Sequence, residues 1–125
     1  MHELGVCHRD LKPENVLLKY SDDVTRSRED YRNFRIKIAD VGSSKILVRE
    51  KAKNTPYVVS RYYRAPEVIL GANNYSTSID IWSTGCILFE LLTTTPLFNG
   101  DEEGYQIHEF ANLLGSPTKE EIRYF

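Results

Sequence analysis

Residues 79–92 are apolar at nearly every helical angle, through Ile79, Ile81, Trp82, Cys86, Ile87, Leu88, Phe89, Leu91 and Leu92. A helix of that kind needs apolar neighbours on all sides, so it predicts a buried helix at the centre of a domain. Ser76 or Ser78 is the expected N-cap. Asp80 interrupts the pattern. A carboxylate carried into such a centre must meet hydrogen-bond donors, although a first-turn acid also suits the helix dipole. A second, amphipathic helix is predicted over 103–114 through Ile107, Phe110, Leu113 and Leu114, ended by Gly115 and Pro117.

The strand signals are short. Arg35-Ile36-Lys37-Ile38-Ala39 alternates, which predicts a strand with Ile36 and Ile38 on one buried face, and Val16-Leu17-Leu18 reads as its buried partner. Between them Lys19 to Asn33 is charged and lacks an apolar period, as a long solvated hairpin loop would. Ser27, between Arg26 and Arg28, is either a turn residue there or a modification site. The ends are also informative. His2-Glu3-Leu4-Gly5 reads as a last helical turn with Gly as its C-cap, and Thr118-Lys119-Glu120-Glu121 as a capping box that opens a helix. The expectation is therefore a central piece of a larger domain, with Met1 an internal methionine of a longer reading frame.

Three motifs carry chemistry, in the order His8-Arg9-Asp10-Leu11-Lys12-Pro13-Glu14-Asn15, Asp40-Val41-Gly42 and Ala65-Pro66-Glu67. The first sets an acid, a cation and a neutral amide within six residues, groups suited to phosphoryl transfer from ATP to a hydroxyl. Together they resemble the catalytic loop, the magnesium motif and the end of the activation segment of protein kinases. The resemblance covers essentially all of residues 1–125. It implies an α+β, protein-kinase-like fold, of which this would be the central part of the mainly helical C-terminal lobe with a short β-hairpin. The N-terminal lobe and the end of the C-terminal lobe are then expected to lie outside the chain, and the chain alone to be inactive.

Family roles carry over residue by residue. Asp10 would accept or orient the substrate hydroxyl's proton, and Lys12 would neutralise the transferred phosphoryl and favour Ser/Thr over Tyr acceptors. Asn15 and Asp40 would hold Mg²⁺ with ATP. Asp80 would tie down the catalytic-loop backbone, and Glu67 would be structural. Residues 43–64 would be the activation segment, with Thr55 and Tyr57 as its phosphorylation sites, modified by an upstream kinase or by autophosphorylation. Arg9, Lys45, Arg61 and Arg64 are the candidate phosphate ligands, with Arg61 and Arg64 folding back on Tyr57. Val41 departs from the usual Phe, which should loosen the apolar column behind the motif.

Ser60-Arg61-Tyr62-Tyr63-Arg64-Ala65-Pro66-Glu67 is similar to the CMGC group of cyclin-dependent, mitogen-activated and glycogen synthase kinases. Thr55-Pro56-Tyr57 looks like the lip of stress-activated mitogen-activated kinases, and Leu70-Gly71-Ala72 like Mediator-associated cyclin-dependent kinases. Asp40 to Lys45, Tyr75 to Gly85 and Leu114 to Thr118 look more like glycogen synthase kinase 3, where positions matching Arg9 and Lys45 help bind a phosphate already on the substrate. The partners implied are proteins with Ser or Thr acceptors. The alternative is a noncatalytic, truncated kinase-like protein that acts as a binding or regulatory module.

Net charge −2, with no run of Lys and Arg, gives no electrostatic case for nucleic acid or a membrane surface. No signal peptide or spanning stretch is evident, so an intracellular protein, cytoplasmic or nuclear, is expected. Cys7 and Cys86 lack zinc or disulfide spacing. Cys7 is read as a packing residue, with a reactive thiol beside the site as the other option.

Overall fold

The structure is a computed structural model that describes residues 1–20, 34–47, 61–100 and 102–124. Among the described residues four short strands form two antiparallel pairs: β1 (Val6–Cys7), β2 (Val16–Tyr20), β3 (Phe34–Ile38) and β4 (Lys45–Ile46). β2 pairs with β3 in the register Val16↔Ile38 to Tyr20↔Phe34. That is the expected hairpin, with Lys19, Tyr20 and Phe34 drawn into the ladder. The β1–β4 pair, Val6↔Ile46 and Cys7↔Lys45, is two residues long and carried no periodic signal.

Four α-helices follow among the described residues: α1 (Pro66–Ile69), α2 (Ser78–Thr93), α3 (Glu103–Leu114) and α4 (Lys119–Tyr124). Gly115 ends α3 at φ 88, a left-handed conformation that favours glycine. The Thr118 capping box forms: the Thr118 N–H donates to Glu121 Oε2 at 2.7 Å, and the Glu121 N–H returns to Thr118 Oγ1 at 3.2 Å. At the other end, the 3-10 turn His2–Leu4 closes on Gly5 at φ 69.

Two apolar clusters meet at Trp82. One joins Cys7, Ala65, Val68, Tyr75 and Ile79, and the other Tyr63, Ile69, Cys86, Ile87, Phe98 and Phe110. Trp82 stacks on Phe98 with ring centroids 5.6 Å apart and meets Phe110 edge-on at 5.3 Å. Such pairs contribute about 0.5–1.5 kcal/mol each beyond area burial.

Several sequence expectations need correction. α2 buries only one side, at Ile79, Asp80, Ser83, Cys86 and Ile87, whereas Ile81, Leu88, Leu91 and Leu92 are exposed. Leu88 and Leu92 line an open apolar cavity together with Leu113 and Leu114 of α3. Neither serine caps α2: its N-cap is Thr77, which makes no side-chain cap bond, and Ser76 Oγ instead accepts from the Ser78 N–H at 3.2 Å. Ile36, Ile38, Leu17 and Leu18 are exposed rather than buried, because the hairpin pairs along its backbone but no described layer covers it. Of the α3 positions expected to face the core, Phe110 is buried as expected, whereas Ile107, Leu113 and Leu114 are exposed, and Gln106 is buried in addition.

Both cysteines are buried and unpaired. Burial, then the negative charge of Asp80, pushes the Cys7 thiol up to about 12, and burial pushes Cys86 up to about 11. The thiolate is the reactive form, so neither should be alkylated by iodoacetamide at pH 8 in the folded protein. Peptide mass spectrometry should find label at Cys7 only after denaturation, and labelling of Cys7 in the native protein would contradict its place in the core.

Candidate active site

The catalytic-loop candidates are held by a residue seventy positions away. Asp80 is 1% exposed in the first turn of α2. One carboxylate oxygen accepts from the His8 N–H at 2.7 Å, and the other from the Arg9 N–H at 2.9 Å. His2 Nε2 lies 2.7 Å from the first of these oxygens. Burial works to raise the Asp80 pKa, but the hydrogen bonds from His2, His8, Arg9 and Cys7 outweigh it and hold the carboxyl below its ordinary value.

This anchor fixes an unusual backbone. Arg9 has φ 69, a left-handed conformation that costs a non-glycine residue about 1–2 kcal/mol. Its side chain is fixed as well, Nε donating to the Ser43 carbonyl at 2.7 Å and Nη1 to Tyr75 Oη at 3.2 Å. The turn presents Asp10 to the side where Lys12 and Asn15 lie. Lys12 Nζ is 3.1 Å from Asp10 Oδ2, and Asn15 Nδ2 donates to the Asp10 carbonyl at 2.8 Å.

His8 links this loop to the second motif. Its Nε2 lies 3.0 Å from the Ala39 carbonyl, while Nδ1 lies 3.3 Å from the Asp10 N–H. The Asp10 N–H can only donate, so the pattern assigns the neutral tautomer with its proton on Nε2. The Ala39 N–H also donates to the Asn15 carbonyl at 2.9 Å, which sets Asp40 one residue beyond Asn15's backbone partner. Asp40, at φ 57, caps its own turn by accepting from the Gly42 N–H at 3.3 Å.

The donor set suits magnesium. With Nδ2 of Asn15 turned to Asp10, its amide oxygen remains as a neutral acceptor, and the Asp40 carboxylate is exposed. Both are hard oxygen donors. Among the described residues no group of three or more His, Cys, Asp or Glu gathers, so the protein itself offers few ligands here. Magnesium characteristically takes few protein ligands and completes its shell with phosphates and water.

Other candidates are placed less simply. Lys45 lies on β4 opposite Cys7, two residues from Arg9. Arg64 is buried, and its Nη1 is 3.2 Å from Glu103 Oε1, so its guanidinium already meets an anion, while Arg61 is exposed. Glu67 sits half-buried in the first turn of α1. Val41 is 62% exposed. Thr55 and Tyr57, like Ser27, lie outside the described residues.

Sequence reasoning missed the residues that grip the segment before Ala65. Tyr63 Oη donates to Glu90 Oε2 at 2.7 Å, and Ser83 Oγ donates to the Tyr63 carbonyl at 2.7 Å. Burial, then the Glu90 carboxylate, raises the Tyr63 phenol above its ordinary range, so it stays a donor. It also missed His2 on Asp80. No local signal marks a pair 78 residues apart.

The protein kinase domain family matches residues 1–123. A protein named glycogen synthase kinase 1 from Pyricularia oryzae is 47% identical over 123 residues, which is 98% of this chain and 28% of that relative. The chain therefore spans little more than a quarter of that relative's length.

Proposed function

The chain belongs to the protein kinase family, and from that membership we propose that it is a catalytic segment of a protein serine/threonine kinase, which moves the γ-phosphoryl of ATP to Ser or Thr of protein substrates. One observation carries the reading: Asp10, Lys12 and Asn15 sit in a single hydrogen-bonded loop that His8 and Asn15 join to the backbone just before Asp40. In this reading Asp10 orients the acceptor hydroxyl and takes its proton, Lys12 holds the transferring phosphoryl, and Asn15 and Asp40 would hold Mg²⁺. The ion, when bound with ATP, supplies charge that offsets the charge developing on the phosphates.

Similarity to a glycogen synthase kinase supports placing the protein in the CMGC group. In the same reading the protein works inside the cell, and Thr55 and Tyr57 are modified by an upstream kinase or by the protein itself. No helix among the described residues is long and apolar enough to cross a membrane.

The test uses the full-length protein that contains this chain, incubated with Mg²⁺, labelled ATP and a library of Ser- and Thr-containing peptides. Label on Ser or Thr, and none without Mg²⁺, is the expected result. A folded protein that transfers nothing yet binds protein partners would establish the noncatalytic alternative.

A further inference from the structure

The segment leading into Ala65 is gripped from two sides. α2 holds Tyr63 through Glu90 and Ser83. α3 holds its neighbours: Gln106, which is wholly buried, donates Nε2 to the Arg61 carbonyl, and Glu103 meets the Arg64 guanidinium at 3.2 Å. Glu103 and Gln106 are three residues apart, so they share one face of α3. The Arg61 carbonyl also accepts from the Arg64 N–H at 3.2 Å. The two α3 side chains therefore close the same turn, one through its backbone and one through its charge. Gly100 permits the approach, because a Cβ there would come within 2.7 Å of the Gln106 nitrogen.

The Arg64 side chain is 8% exposed and that of Glu103 is 50% exposed. A guanidinium taken so far out of water needs an anion close by. Arg61 and Arg64 are three residues apart in one turn, yet only Arg64 is buried against an acid, while Arg61 faces solvent.

We propose that Glu103 is a positioning residue: it supplies Arg64 with a counter-ion from within the chain and thereby holds the Arg61–Arg64 turn against α3, so that the protein-substrate platform is set. The kinetic part of this assignment rests on the kinase reading given above. The structural part does not.

The test takes the full-length protein as wild type, Glu103→Gln, Arg64→Gln and the double variant. Hydrogen exchange of the peptide covering 61–66 should rise about three- to tenfold in Glu103→Gln, the size expected of a charge-assisted bond with one half-exposed partner. The peptide-substrate KM should rise by a similar factor with kcat within about twofold, since a misplaced platform weakens binding without touching the reacting groups. In the Arg64→Gln background the Glu103 substitution should add nothing further to either readout. Unchanged exchange in Glu103→Gln would overturn the proposal, and so would an effect of equal size with Arg64 already replaced. Exchange that responds as expected in a protein with no transferase activity would uphold the clamp and reject the kinase reading instead.

Discussion

Asp10→Asn in the full-length protein should lower turnover by about 10²–10⁴, the range for loss of a positioned general base, with the urea midpoint within error of wild type. The asymmetry follows from what the carboxylate touches. Its described contacts are Lys12 Nζ at 3.1 Å and the amide of Asn15 at 3.5 Å, both on its own loop. Asn keeps the shape and one oxygen for those contacts but cannot accept a proton. ATP affinity should change little, because the nucleotide's metal is assigned to Asn15 and Asp40. Wild-type turnover in Asp10→Asn would remove Asp10 from the chemistry.

Asp80→Ala should act the other way round and cost folding first. It strands the His8 and Arg9 N–H groups, each about 1–3 kcal/mol when a buried donor is left without a partner, so a loss of about 2–6 kcal/mol is expected in urea unfolding. Asp80→Asn is the sharper variant. One oxygen faces the His8 N–H and His2, the other faces the Arg9 N–H, so either orientation of an amide sets its NH₂ against a backbone donor. Turnover should fall with it, because the φ 69 turn at Arg9 relaxes when its N–H is released. The same contact fixes a pH trend. Since the folded Asp80 carboxyl is held below its ordinary value, its contribution to stability is complete above the normal carboxylate range and is lost as pH falls through the lowered value. An Asp80→Ala protein with wild-type stability and the same acid limb would contradict the anchor.

What could be read in the sequence was whatever has a local cause. The β2–β3 pairing follows from alternation in residues 35–39. The α3 stop follows from Gly115, and the α4 start follows from Thr118 and Glu121. The order of the three motifs was enough to place the family. Burial was read less well, and for one reason: periodicity reports that a face is apolar, not that a neighbour exists. Leu91 and Leu92 look like core and are exposed, whereas Gln106 looks like surface and is wholly buried, because its amide reaches the Arg61 carbonyl 45 residues earlier. Arg64 also forms an ion pair that proximity in sequence did not suggest, with a helix that starts 39 residues later, while the expected pairing with Tyr57 falls outside the described residues.

The separation of 72 residues between His8 and Asp80 also bears on the order in which the protein becomes competent. Closing so long a loop is slow relative to forming a helix or a hairpin. The hairpin and α2 can form before the chain between them has closed, and only the docking of α2 supplies the acceptor that draws Arg9 into its left-handed turn. Competence at Asp10 should therefore arrive last on refolding, behind recovery of circular dichroism. Under mild denaturant it should be the first property to go, as the contact opens while most of the backbone ladder persists.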